Sequence, residues 1–184
     1  MNSVRGYYII MLAALLAGCD LNSSAGEKKS GIKTKTFTSS DNSALNGATI
    51  KNDIELEATG VKVKEVYLLD ADKNLLKEHI TRVGERIYVV IKVDTGWVKV
   101  NGKSFVGASE RISTSSGVVI VNADDIFKEY ETTGLDAVDA KVISLSAVIT
   151  EVKAGVENFV VQFRVWDKMG NGEIKGKYYF SLAK

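Results

Sequence analysis

The chain contains no proline, one cysteine and one histidine in 184 residues. Without proline, polyproline linkers, cis-proline turns and proline-blocked edge strands are excluded, so turns must rest on Gly, Asn, Asp and Ser. One cysteine, Cys19, cannot form an intrachain disulfide or a multi-thiolate zinc site. One histidine, His79, leaves a transition-metal site short of ligands, and a Ser–His–Asp triad would need that residue as its base. No G-x-S-x-G elbow accompanies it, and no metal or cofactor motif is found. Charge excess is also missing, with 24 Lys and Arg against 23 Asp and Glu. A nucleic-acid surface would show as a basic excess, so nucleic acid is not an expected partner.

What is present begins at the N-terminus. Arg5 supplies a short positive region, and Tyr7 to Leu16 is an apolar run of ten residues. That run is too short to span a bilayer, which takes about 20 residues of helix. It has the shape of a secretory signal. It ends in Leu16-Ala17-Gly18-Cys19, a motif that resembles the lipobox of bacterial lipoproteins. The resemblance covers residues 1–20 only. It implies cleavage before Cys19, diacylglycerol on its thiol and an acyl chain on its new amino group. Each buried methylene contributes about 0.8 kcal/mol, and stable anchoring takes more than one chain. Residues 1–18 would then be a signal peptide, and the mature protein would be held at the cell envelope by lipid. Asp20 follows the cysteine; this position directs sorting in some bacterial groups and not in others, so inner and outer membrane stay open. Loss of residues 1–18 removes only Arg5 among charged residues and leaves 23 basic and 23 acidic. Such a chain has no excess charge for electrostatic attachment to anionic lipid.

Residues 19–47 follow as the lipidated cysteine and a flexible tether, rich in Ser, Gly, Asn, Thr and Lys. Residues 20–47 would span roughly 30 Å root-mean-square as a flexible coil. From Ala48 to Lys184 the pattern is β. Val61 to Leu69, Arg86 to Val93, Ile143 to Ile149, Phe159 to Val165 and Ile174 to Leu182 show alternating or continuous apolar character. Leu75 to Ile80 reads as the return strand of a hairpin closed by Asp70 to Asn74. Asn101-Gly102 predicts a tight hairpin within "WVKVNGKSFV", and Met169 to Gly172 predicts another. Val118 to Val121 reads as a short buried strand. Residues 123–130 read as one short helix or helical turn, capped by Asn122, with Asp124 and Asp125 in its first turn and Ile126, Phe127 and Tyr130 on one face. About eight strands with regular turns predict an all-β fold: an antiparallel β-sandwich, immunoglobulin-like but without its Cys–Trp–Cys core. One domain, 48–184, is expected.

Few residues suggest chemistry. Asp167, Asn171 and Gly172 partly match a calcium loop, but Met169 and Tyr178 stand where ligands are needed, so a hairpin turn is expected. The acidic group Asp124, Asp125, Glu129, Glu131, Asp136 and Asp139 suits helix-dipole compensation and solvation. On the last long strands, Arg164 and Trp166 alternate against Phe163 and Val165, which exposes them if Phe163 is core. Tyr179 would join them, and Trp97 is a second exposed aromatic. Trp, Arg and Tyr are the residues that dominate binding hot spots. The expectation is a non-enzymatic, membrane-anchored binding module for an envelope protein or glycan. One alternative is an inhibitor or immunity-type protein acting through residues 107–117, "GASERISTSSG". The other is a hydrolase using two facing carboxylates.

Overall fold

A computed structural model describes residues 34–36, 44–153 and 155–183. In chain order the strands are β1 (Thr34–Thr36), β2 (Thr49–Lys51), β3 (Glu55–Thr59), β4 (Lys62–Leu69), β5 (Ile80–Thr81), β6 (Arg86–Thr95) and β7 (Lys99–Val100). They continue as β8 (Lys103–Ser104), β9 (Val106–Thr114), β10 (Val119–Ala123), β11 (Leu135–Asp136), β12 (Val142–Val148), β13 (Asn158–Asp167) and β14 (Glu173–Leu182). Two single 3₁₀ turns, at Lys128–Tyr130 and Asp139–Lys141, are the helical elements among the described residues.

The strands form two main sheets. One has the order β1-β2-β4-β6-β12, and the other β10-β9-β13-β14-β3, with β5 beside the end of β14. All pairings in these sheets are antiparallel except β2 with β4 and β5 with β14. A small third sheet, β11-β8-β7, extends from the side. The protein is an all-β sandwich. The periodicity of its long strands dictates this. Phe159, Val161, Phe163 and Val165 of β13 face inward with Ile174, Tyr178, Phe180 and Leu182 of β14. They share one core with Ile87, Val89, Ile91 and Val93 of β6 and Ile143, Leu145 and Ala147 of β12. Phe159 and Phe180, register partners on neighbouring strands, stack at 5.2 Å between ring centroids.

Strand β4 changes phase midway. Val61 and Val63 point inward; register irregularities around Val63 and Glu65 then place Val66 and Leu68 inward. Glu65, Tyr67 and Leu69 thereby share the outward side. There Leu69, Tyr88 and Val90 make a second, smaller apolar cluster. Lys51 and Lys92 both bond the Glu65 carboxylate at 2.8 and 3.1 Å.

Several sequence expectations change. Leu75 makes only an isolated bridge to Leu69, and the expected return strand is absent; Ile80–Thr81 pairs with β14 instead. Residues 123–130 are not one continuous helix; their helical part is the 3₁₀ turn Lys128–Tyr130. Ala123 ends β10, and the Asp125 Oδ1 accepts from the backbone N–H of Ala108 and Phe127, which pins one turn against β9. The fold also reaches upstream of Ala48: β1 pairs with β2, and Ala44 and Leu45 are in the core.

One polar contact joins the ends of the two sheets. Asp167, 5% exposed, closes the β13–β14 turn by accepting the Met169 N–H at 2.9 Å on Oδ1. Its Oδ2 accepts the Val98 N–H at 2.6 Å, from the segment that follows β6. Hydrogen bonds to a charged acceptor contribute about 1.5–3 kcal/mol each. Asp167→Ala should therefore lower unfolding free energy by about 3 kcal/mol, with Asp167→Asn intermediate. Urea denaturation of the three proteins measures this, and equal midpoints would refute the role.

Candidate functional site

The outward side of β10-β9-β13-β14-β3 carries the exposed polar side chains of the long strands. Register sets them in rows across the sheet. One row is Asn122, Arg111, Gln162, Lys177 and Glu55. The next, two residues along, is Ser109, Arg164, Lys175 and Glu57. A third is Gly107, Trp166, Glu173 and Thr59. Two shallow depressions, of 470 and 360 Å³, meet over Gln162, Lys175 and Gly176 and make one trough across the face.

Its charges are partly tied. Glu173 receives Arg164 Nε at 2.6 Å and Lys175 Nζ at 2.5 Å. Those two bonds, Lys175 first, hold the Glu173 carboxyl below its ordinary range. Lys177 reaches Glu55 at 2.9 Å. Arg111 and Gln162, both exposed, make no ion pair or side-chain hydrogen bond among the described residues. The trough thus has its Arg164, Lys175 and Lys177 cations paired, Glu57 and Asp124 without an ion pair among the described residues, and a free donor set at its centre.

The expected aromatic patch divides. Arg164 and Trp166 do meet, with the guanidinium 4.7 Å from the indole centroid. The ring also covers Gly107, where an added Cβ would sit 2.3 Å from the indole. The side chain is half-buried. This is a cation–π stack covering a glycine in the sheet. Tyr179 lies elsewhere. It pairs with Val160, six residues along β13 from Trp166, about 20 Å at 3.3 Å per residue. It is 45% exposed, its hydroxyl reaches Glu55 at 3.4 Å, and the His79 ring bonds its carbonyl.

Trp97 is not an exposed aromatic. It is 8% exposed, packs beside Gly172, and donates its indole N–H to the Ala140 carbonyl at 2.9 Å. The hairpin after it is as expected, with Asn101 and Gly102 both at positive φ in the two-residue turn between β7 and β8. Residues 107–117 are not a projecting loop. Most form β9, between β10 and β13, so an inhibitory loop is not found there. Asp167, the first position of the calcium-like loop, spends both oxygens on backbone N–H groups. Of the acidic group, Asp125 pairs with Lys168 and Asp136 with Lys103. Cys19 lies outside the described residues.

Sequence reading missed Glu110. It faces the core from β9 and is 1% exposed, and neither carboxyl oxygen has a hydrogen-bond partner. Its charge is felt by the fully buried Tyr178 hydroxyl, also without a partner. Burial pushes the Glu110 carboxyl up to about 8. Its register partners on the neighbouring strands, Ala123 and Phe163, are not acids. The other concentration of carboxylates surrounds a 420 Å³ depression near Asp70 and Glu85. Asp70 caps the N–H groups of Asp72 and Asn74, and Glu85 is held by Arg82.

No family model matches the chain. No curated protein matches it either. Among solved structures it is similar to the C-terminal domain of wzt, with a TM-score of 0.45 and 11% identity over 72% of this chain and 79% of that one. A likeness of that size carries no functional argument.

Glu110 sets a pH dependence. The folded protein keeps a proton that the unfolded chain loses above about 4.5. Stability should therefore fall as pH rises from 4.5 towards 8, on the order of 1 kcal/mol per pH unit, and level off above. Glu110→Gln should flatten this component. Urea titrations at pH 5, 6, 7 and 8 on both proteins give the difference, and parallel curves would refute it.

Proposed function

We propose that this chain is a lipid-anchored protein of the bacterial cell envelope, and that its sandwich is a non-enzymatic module binding another envelope protein. The anchor is Cys19, in the lipobox-like motif at the end of an apolar signal. The contact surface is the outward trough of β10-β9-β13-β14-β3.

One observation carries the choice of surface: Arg111 and Gln162 stand exposed and unengaged at the centre of a trough whose other cations, Arg164, Lys175 and Lys177, are already paired. Unengaged donors in a concavity have the least to lose on binding, because no existing partner is given up. Arg is among the residues enriched at hot spots. A protein surface is favoured over a glycan because Trp166 is half-buried and already engaged by Arg164 and Gly107. The wider expectation of a protein or glycan partner narrows accordingly, with glycan binding as the competing outcome.

Two experiments test the halves separately. Cys19→Ser should abolish metabolic labelling by palmitate and leave the precursor uncleaved; a labelled, processed variant overturns the anchor. For the trough, wild type and Arg111→Glu are compared as baits in detergent-solubilised envelope, beside an unrelated lipoprotein. A protein enriched by wild type and reduced about tenfold by the variant supports the surface, a difference near 1.4 kcal/mol. Enrichment unchanged by the variant, or elution by soluble glycan, moves the contact elsewhere.

A further inference from the structure

Strand β10 ends its sheet, pairing with β9 on one side and with no described strand on the other. An edge strand presents a row of unsatisfied N–H and C=O groups, and proteins usually blunt it with charge or proline. Here Val118, Val119, Ile120 and Val121 run together without either. Val118 is 62% exposed and Val119 is 43% exposed. The register shifts between Val119 and Val121, an irregularity that re-aims side chains. Beside it lies a cleft of 210 Å³ lined by Val118, Val119, Ile120, Val152 and Val156. It differs from the trough, being predominantly apolar and at the sandwich's side.

The charges around this edge choose an occupant. Asp124 follows the last residue of β10 and is exposed. It accepts a hydrogen bond from the Asn122 side-chain amide and has no ion-pair partner among the described residues. Glu151 and Lys153 at the cleft offset each other. The edge is therefore apolar at one end and acidic at the other. A second copy of this strand does not complement it. Antiparallel self-pairing about Val121 sets Asp124 against Val118, and parallel self-pairing sets Asp124 beside itself.

We propose that β10 is a docking edge for an extended segment of another protein, added as a further strand, with β-branched side chains over the cleft and a cationic residue beside Asp124. Backbone hydrogen bonds then supply affinity, while the cleft and the acidic end supply direction and selectivity. The cleft is separate from the trough, but Asp124 also lines the larger depression of the trough, so Val119→Lys is the variant that separates the two surfaces.

The probes are three synthetic octapeptides of alternating valine and threonine, ending in two lysines, in two glutamates, or in two lysines with a central proline. Binding to the protein is measured by fluorescence anisotropy, and amide exchange is followed at Val119–Ala123. The lysine peptide should bind and slow exchange in β10. The glutamate and proline peptides should bind at least about tenfold more weakly. Val119→Lys and Asp124→Lys should each weaken the lysine peptide by a similar factor. Both sites are exposed, so an unchanged thermal midpoint shows that the variants fold. Equal binding of lysine and glutamate peptides, or binding without slowed exchange in β10, overturns the proposal. So does concentration-dependent dimerisation abolished by Val119→Lys, which would assign the edge to a second copy.

Discussion

The carboxylate of Asp167 is the contact on which the arrangement of the two sheets most depends. Strands β13 and β14 belong to one sheet, and the chain leaving β6 belongs to the other. Oδ1 closes the turn of the first, while Oδ2 takes the Val98 N–H of the second. Trp97, next to Val98, is thereby set against Gly172, and its indole N–H reaches Ala140 in the crossing that precedes β12. Two segments distant in sequence meet at this buried acid, and Trp97 carries the contact on to a third. Backbone N–H groups buried without partners cost free energy comparable to a lost hydrogen bond, so a well-placed acceptor fixes the geometry of all three. The calcium-like spacing after Asp167 is thus a turn in which each carboxylate oxygen accepts a backbone N–H.

Glycine placement follows the same logic at the sheet surface. Gly107 and Gly176 are each covered by an aromatic ring from β13, Trp166 outside and Phe163 inside, and an added Cβ would lie 2.3 Å from either ring. Glycine weakens a strand because it packs nothing. A cross-strand ring restores the missing contact on the side where the glycine left space. The stack of Arg164 on Trp166 therefore begins as sheet stabilisation. The Arg164 Nε donates to Glu173, and the donors left free on this face are those of Arg111 and Gln162 beside it.

Legibility in the sequence followed how local the determining interaction is. Strands β6, β12, β13 and β14 could be read because alternation is written within each strand. Strand β9 could not, since "GASERISTSSG" looks like a loop and Glu110 stands at an inward position where an apolar residue is expected. That misreading hid Arg111, which is half of the trough's centre. Asn122, Asp124 and Asp125 with Ile126, Phe127 and Tyr130 satisfy helix rules, yet Asp125 caps across to Ala108 on another strand. Trp97 read as exposed because its partner carbonyl is 43 residues away. The rows of the trough combine residues from five strands, so the site becomes visible only once register is known.

The missing proline has its largest consequence at the sheet edges. Each open edge must be protected by charge, by covering segments or by irregular geometry. On β3 the protection is charge: Glu55 and Glu57 point outward from alternate positions. At β12 both faces are filled, with Ser144, Ser146 and Val148 all buried. The segment between β10 and β12 lays Phe127 into the core and its second 3₁₀ turn against β6 and β12. Strand β10 alone among these combines exposed β-branched residues with no charge until Asp124, and its one defence is the irregularity at Ile120. An edge left so would pair indiscriminately unless something limits its partners. The acidic end at Asp124 is that limit, since it disfavours both a second copy and any acidic strand while admitting a basic one. Selectivity on this edge thus comes from what it repels as much as from what it holds.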